Sequence, residues 1–299
     1  MRRLLLAAAC VVLLTPLVTG QLCDSEYENQ VIVKVRHVVF PGAPRVPQEE
    51  RDQIAREVRR HFRNPCEDQK SWSQDAAEMA SEIAREWYQD RGYFKVQTEA
   101  QAILIEARGS TRIVDLRLQG INKGQLYRTG RLHWSGMTVF REDELLRLIP
   151  THSGDIFGRD KIANGLEAVR SLYASRGYVN FTCIPNTTFD EDNATINLNI
   201  QIEEGPQFHF RNFSVAGLDD QRLQRWQEAW KEQITGRVFT RDDLRTFLRQ
   251  FFRPAYPNFD PVWATRLNYD EKNSAIDVSM TFYPKPSDEA MKVTPPPVR

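Results

Sequence analysis

The sequence predicts an α+β protein of tandem modules in β-α-α-β-β order, each a three-stranded mixed sheet covered on one face by two helices. Three observations lead there. The chain repeats itself, and repeats organise everything else: Arg85, Tyr88, Arg91, Gly92 and Tyr93 return 85 positions later as Arg170, Tyr173, Arg176, Gly177 and Tyr178. Gly154, Phe157, Arg159 and Asp160 return 82 positions later as Gly236, Phe239, Arg241 and Asp242, and a weaker echo sets 124–136 beside 205–217. Within each repeat, segments of helical period are flanked by segments of strand period. Finally, Ile196, Leu198, Ile200 and Ile202 alternate with Asn197, Asn199 and Gln201. Such a strand buries one face and wets the other, so helices are needed on one side only.

The elements follow in order. The first module, 29–122, has a strand over 31–40 and a helix over 48–62 with Ile54, Val58 and Phe62 in line. A second helix over 73–90 turns Met79/Ala80, Ile83 and Trp87 to one side, and strands over 94–106 and 112–118 are joined at Gly109-Ser110. The middle module, 124–205, has a strand over 127–134 and a short helix over 141–149 that Pro150 ends. Its long helix, 159–175, carries the stripe Ile162, Leu166, Val169 and Leu172/Tyr173. Gly177 stands where that helix must turn off, a position that favours a left-handed glycine. Strands over 179–188 and 194–203 complete the module. The third and more divergent module, 206–284, has a strand over 208–215 and a helix over 219–233 with Leu223, Trp226, Trp230 and Ile234 aligned. A helix over 241–252 and strands over 262–269 and 275–282 follow.

The ends read differently. Arg2-Arg3, the apolar run Leu4 to Leu14 and the small residues up to Gly20 have the order of a secretory signal, expected over 1–20. A retained anchor is the alternative, although a span needs about 20 apolar residues. Residues 285–299 are rich in proline and are expected to be disordered.

Composition excludes more than it assigns. The 299 residues carry 40 basic and 40 acidic side chains, so no chain-wide field favours nucleic acid or anionic lipid. His37, His61, His133, His152 and His209 fall in different elements without metal-ligand spacing, so no metal is expected. Glu203 and Glu204 resemble a paired-carboxylate site, but neighbours on a strand point to opposite faces. No nucleophile–base set or phosphate-binding glycine loop occurs, so neither a catalytic residue nor a cofactor is expected. Sequons at Asn180, Asn186, Asn193 and Asn212 matter only in a host that glycosylates secreted chains. Without the signal three cysteines remain, Cys23, Cys66 and Cys183. Cys23 precedes the first strand and Cys66 follows the helix packed on it, so a disulfide between them is expected, with Cys183 left as a thiol.

These motifs resemble a known family. The module order, Gly154-Asp155-Ile156-Phe157 before the long helix, the Gly92-Tyr93 and Gly177-Tyr178 helix exits, and Glu204-Gly205-Pro206-Gln207-Phe208 at a module junction are similar to polypeptide-transport-associated (POTRA) domains. The resemblance covers about 29–284 and implies a periplasmic protein, peripheral to the outer membrane, that holds client polypeptides. Its partners would be unfolded or extended polypeptides, outer-membrane β-barrel assembly proteins, or both. No barrel is expected to follow, since the tail after Pro284 is far short of the roughly eight strands a barrel needs. A cell-envelope adaptor for one folded partner and, more remotely, a secreted enzyme of unrecognised type are the competing classes.

In the family's fold the second strand of each module lies at the sheet edge, where a partner strand can add. Pro185 interrupts that strand in the middle module, and Pro261 adjoins a short one in the third. The first module is therefore expected to offer the binding edge, at Phe94, Val96 and Thr98, with Met79 and Ile83 beside it receiving client side chains.

Overall fold

The computed structural model describes residues 30–42, 46–63, 66–217, 220–255 and 262–283. The expected signal, Cys23 and the tail at 285–299 lie outside the described residues, as does the side chain of Cys66, and with them the expected disulfide. The chain divides into two compact units, Met1–Tyr127 with Ile156–Arg159, and Arg128–Asp155 with Asp160–Arg299.

The first sheet is built from β1 (Gln30–Val39), β2 (Cys66–Asp68), β3 (Gln97–Arg108) and β4 (Thr111–Asn122), with α1 (Gln48–His61) and α2 (Trp72–Gln89) between them. Its order is β2-β1-β4-β3; β1 and β4 run parallel, and both outer pairs are antiparallel. This sheet has four strands rather than three. β2 is three residues long, too short to show a period in sequence, yet it pairs with Gln30 to Ile32 at the outer edge of β1. Ile54, Val58, Ala80, Ala84 and Trp87 from the helices pack with Val33, Val114, Leu116 and Leu118 from the sheet.

The remaining elements make two three-stranded sheets. β5 (Arg128–Ser135), α3 (Glu142–Leu146), α4 (Arg159–Ala174), β6 (Thr182–Asp190) and β7 (Thr195–Glu203) give the order β5-β7-β6. β8 (His209–Ala216), α5 (Asp220–Gln233), α6 (Arg241–Ala255), β9 (Val262–Asp270) and β10 (Ala275–Tyr283) give β8-β10-β9. In each, the last strand is central and the second is an edge. The third core is aromatic: Phe213 stacks on Trp230 with centroids 4.6 Å apart, and Phe247 meets Trp230 edge-on at 5.1 Å.

Three boundaries differ from expectation for local reasons. Leu148 and Ile149 donate to the carbonyls of Leu145 and Leu146, three residues back, so the helix expected over 141–149 tightens after Leu146. Val96 donates to the Tyr93 carbonyl at 3.2 Å, so the chain turns before β3 and the strand starts at Gln97 rather than Phe94. Phe181 donates to Tyr178 at 3.4 Å and delays β6 in the same way.

The two sequence echoes have structural causes. Gly92 and Gly177 have φ of +88° and +82°. Tyr93 donates to the Tyr88 carbonyl and Gly92 to that of Gln89; Tyr178 donates to Tyr173 and Gly177 to Ala174. This is the Schellman ending, in which the residue after the glycine also packs on the residue five before it. Accordingly Tyr88 meets Tyr93 at 6.1 Å, and Tyr173 meets Tyr178 at 6.0 Å. The glycine carbonyls then accept the N–H of Tyr127 (2.8 Å) and of Phe208 (2.9 Å). The carbonyls of those residues accept Phe157 (3.1 Å) and Phe239 (2.8 Å) in turn. A Cβ on Gly92 would stand 2.8 Å from Ile156 Cγ2, and one on Gly177 would stand 2.6 Å from Val238 Cγ1.

A third regularity lies in the first strand of each sheet. Register shifts occur between Val35 and His37 on β1, Thr129 and Leu132 on β5, and Phe210 and Phe213 on β8. Facing them are Asp115, Asn197 and Asp277. Asn197 Oδ1 accepts the Arg131 N–H at 2.7 Å, and Asp277 Oδ1 accepts that of Asn212 at 3.0 Å. Arg36 and Arg211 clamp Asp115 and Asp277 through Nε and Nη2. A bulge strips a donor of its ladder partner, and on β5 and β8 the facing side chain replaces it.

Two measurements test this. Gly177→Ala should destabilise the second unit by roughly 3 kcal/mol in urea unfolding, because backbone strain adds to overpacking. Gly154→Ala, at φ +93° with nothing within 4 Å of the new methyl, should lose only about 1 kcal/mol; equal losses would count against the packing argument. Second, the Arg211 guanidinium holds the Asp277 carboxyl down to about 2, against the opposing effect of burial. Its stabilising contribution is complete above the unfolded-chain value of about 3.9 and is lost as pH falls through about 2. Asp277→Asn should therefore be less stable at neutral pH and should lose less between pH 4 and 2 than the parent.

Candidate functional site

Free backbone at sheet edges is the main chemical resource these sheets present. An edge strand exposes N–H and C=O groups that another chain can pair with, unless something covers them. The first strand of every sheet is covered at its start. β2 pairs with β1. On β5, Thr129 donates to the Asp155 carbonyl (2.8 Å) and accepts from the Gly154 N–H (2.7 Å). On β8, Phe210 makes the matching pair with Arg237 (2.9 Å) and Gly236 (2.8 Å). At the opposite end of each sheet, the terminal strands β3, β6 and β9 have no further strand on their outer side among the described residues.

The three terminal strands are unequal. β3 is the longest, but its register shifts between Gln97 and Glu99 and again between Leu104 and Glu106. Hydroxyls from α2 also occupy it: Ser81 Oγ donates to the Thr98 carbonyl at 2.8 Å, and Ser73 Oγ to that of Ala102 at 3.4 Å. β6 pairs without a shift but contains Pro185, which has no N–H to offer. β9 holds nine consecutive pairs with β10, from Val262↔Tyr283 to Asp270↔Ala275, without a shift, proline or glycine. It is as long as β6, so the expectation of a short strand does not hold. Its composition, with Val262, Trp263, Thr265, Leu267 and Tyr269, suits pairing.

The structure does not place the five expected binding residues at a free edge. Phe94 lies in the turn before β3, its ring 5.4 Å from that of Phe157. Val96 and Ile83 are buried, and Met79 packs on the same core. Thr98 is in β3, but its hydroxyl donates to the Ser81 carbonyl at 3.0 Å. The strand alternation around these residues reflects core packing. Of the motif residues, Gly92, Tyr93, Gly177 and Tyr178 end helices, while Gly154 and Phe157 bridge to Thr129 and Tyr127. Gly205, at φ +68°, lies against Asn180.

Other polar candidates are structural. Glu204 accepts the N–H groups of Thr138 (2.8 Å) and Val139 (2.9 Å), the Tyr173 hydroxyl (2.8 Å) and the Thr138 hydroxyl. Burial opposes the charge, but these donors hold its carboxyl below the usual range. His133 pairs with Glu142 at 2.9 Å and His37 with Asp115 at 3.3 Å. Cys183 is a half-buried free thiol whose pKa burial pushes up. The Asn193 sequon belongs to a hairpin: its N–H and Nδ2 donate to the Asp190 carboxylate at 3.0 and 2.8 Å. Asn273, which is no sequon, does the same to Asp270 at 3.2 and 2.9 Å. The match of Asp190-Glu191-Asp192-Asn193 with Asp270-Glu271-Lys272-Asn273 was visible in the sequence as a further echo. Among the described residues, no group of three His, Cys, Asp or Glu side chains could hold a metal ion, and no helix is long and apolar enough to cross a membrane.

Comparison with known proteins agrees with this geometry. Residues 127–205 match the POTRA family model, described as a surface antigen variable number repeat. The chain is 22% identical over 189 residues to a Treponema pallidum (strain Nichols) protein named "Putative outer membrane protein assembly factor". That match covers 62% of this chain but only 22% of the relative, so the chain spans about a fifth of that protein's length. The crystal structure of Haemophilus influenzae BamA POTRA3-5 superposes with a TM-score of 0.54 at 18% identity, covering 85% of this chain and 96% of that one. Residues 127–205 are thus a POTRA domain, and the described chain has the fold of such domains in tandem.

Proposed function

We propose that this chain is a periplasmic scaffold in outer-membrane protein assembly or secretion, one that holds extended polypeptides by strand addition and catalyses nothing. The observation that carries the reading is the asymmetry of the edges: each sheet covers the start of its first strand, whereas β3, β6 and β9 have no strand on their outer side among the described residues. Main-chain pairing gives affinity with little demand on sequence, which suits a protein that handles many clients. The relatives' names and the POTRA match support a location beside the outer membrane. Within this reading we assign the principal edge to β9 rather than to the first module. β9 offers a continuous ladder, whereas β3 is shifted at both ends and partly occupied by the α2 serines. The regular window of β3, Glu99–Leu104, is the secondary edge.

Amide hydrogen exchange tests the assignment. An excess of an extended peptide with alternating apolar and polar residues should slow exchange over Ala264–Tyr269 more than over Glu99–Leu104. Slowing confined to β3 would return the edge to the first module. No slowing at β3, β6 or β9 would overturn strand addition and favour an adaptor that binds a folded surface. Restoring a donor with Pro185→Val should raise protection in β6, by roughly the 1 kcal/mol of one hydrogen bond.

A further inference from the structure

The chain is neutral overall, but its charge is not evenly spread. The C-terminal half of α1 and the residues just after it carry Arg56, Arg59, Arg60, His61 and Arg63, all exposed. Ile54 and Val58, with Phe62 just past the helix end, turn to the core. At 3.6 residues per turn, Arg56, Arg59 and Arg60 fall within an arc of about 100° on the opposite side, and Arg63 follows just past the helix end. Arg60 is tied to Glu57. Arg56, Arg59 and Arg63 have no carboxylate partner among the described residues.

The helix dipole accounts for cations in the last turn, but its effect fades within that turn. Arg56 lies before the last turn, and Arg63 lies after the helix. A net charge of zero does not weaken such a cluster, because salt limits each charge to a range of about 8–10 Å. These side chains stand exposed on the outer side of the helix and just past its end. A flat layer of phosphates can meet them without shape matching, and guanidinium groups bind phosphate oxygens in pairs.

We propose that the C-terminal half of the outward face of α1, beyond Glu49 and Asp52, docks on an anionic phospholipid surface through Arg56, Arg59 and Arg63. This goes beyond strand addition and shares with that reading only the location beside a membrane. Such a contact would hold the first module against the bilayer by charge alone, so it would be reversible and sensitive to salt.

Cosedimentation of the full chain with vesicles of phosphatidylglycerol and phosphatidylcholine tests it. The Arg56→Gln/Arg59→Gln/Arg63→Gln variant should bind on the order of a hundredfold more weakly. The corresponding lysine variant should bind within a few-fold of the parent, with unchanged helix content by circular dichroism. A charge-matched control, Arg131→Gln/Arg225→Gln/Arg249→Gln, should bind like the parent. Equal binding by the two glutamine variants would overturn the proposal, as would parental binding that is no stronger to anionic than to pure phosphatidylcholine vesicles. Displacement by inorganic phosphate at constant ionic strength would point instead to a free-ion site. Tighter binding to polyglutamate than to vesicles would point to an acidic polypeptide, and either result rejects the membrane. Peptide-induced exchange protection in the same variants is a separate readout, so failure here leaves the strand-addition reading standing.

Discussion

The carbonyl of a left-handed glycine is the point on which each of the first two repeats turns. Gly92 and Gly177 end a long helix and accept the N–H of the residue that opens the next repeat, Tyr127 or Phe208. That residue passes its own carbonyl to Phe157 or Phe239. Two hydrogen bonds in series thus join three segments that lie far apart in sequence. The close approach leaves no room for a Cβ, so sterics and φ both require glycine at these positions. The tyrosines on either side of the helix end pack on each other and fix the angle at which the chain leaves.

Around this join, the sheets handle their unpaired backbone in two ways. At the first strand, short segments cover the edge: β2 in one sheet, and the Gly154-Asp155 and Gly236-Arg237 segments in the others. At the bulges in β5 and β8, Asn197 and Asp277 accept the N–H groups of Arg131 and Asn212, while at the β1 bulge Asp115 takes the Arg36 guanidinium. Different sequence solutions therefore meet one physical demand, that a donor removed from water must find an acceptor. Among the described residues no further strand covers β3, β6 or β9, and the ladder is continuous on β9, interrupted by Pro185 on β6 and partly occupied by the α2 serines on β3.

That division has a functional consequence. Among the described residues, cores and joins absorb most of the aromatic side chains and most of the recurring motif residues, so little of that side-chain chemistry is left for selective recognition. What remains on offer is backbone along β3, β6 and β9, and charge along one face of α1. The two are physically different resources. The first acts through short, directional hydrogen bonds, and the second through a screened field.

Much of the architecture was legible in the sequence, because helices and strands with one buried face must repeat their apolar residues at fixed periods, and tandem modules must repeat the period itself. The stripes at Ile162, Val169 and Tyr173 and at Trp226 and Trp230, the alternation in β7, and the glycine-terminated helices are all of this kind. β2 was not legible, because three residues carry no period and its pairing with Val31 depends on where the chain passes after α1. Nor was the true start of β3: Phe94 and Val96 continue an alternating pattern, but from a turn, where Val96 fills the core and Phe94 packs on Phe157. The ranking of the edges was also hidden. A proline in β6 shows in the sequence, whereas a register shift opposite Leu104 or a serine hydroxyl reaching Thr98 exists only once the helix and strand lie side by side. The sequence by itself determined which residues are apolar and at what period, and so the elements and their repetition. Only the tertiary structure decided which backbone groups were left without partners, because a hydrogen bond between distant segments depends on their positions in space and leaves no mark on local composition.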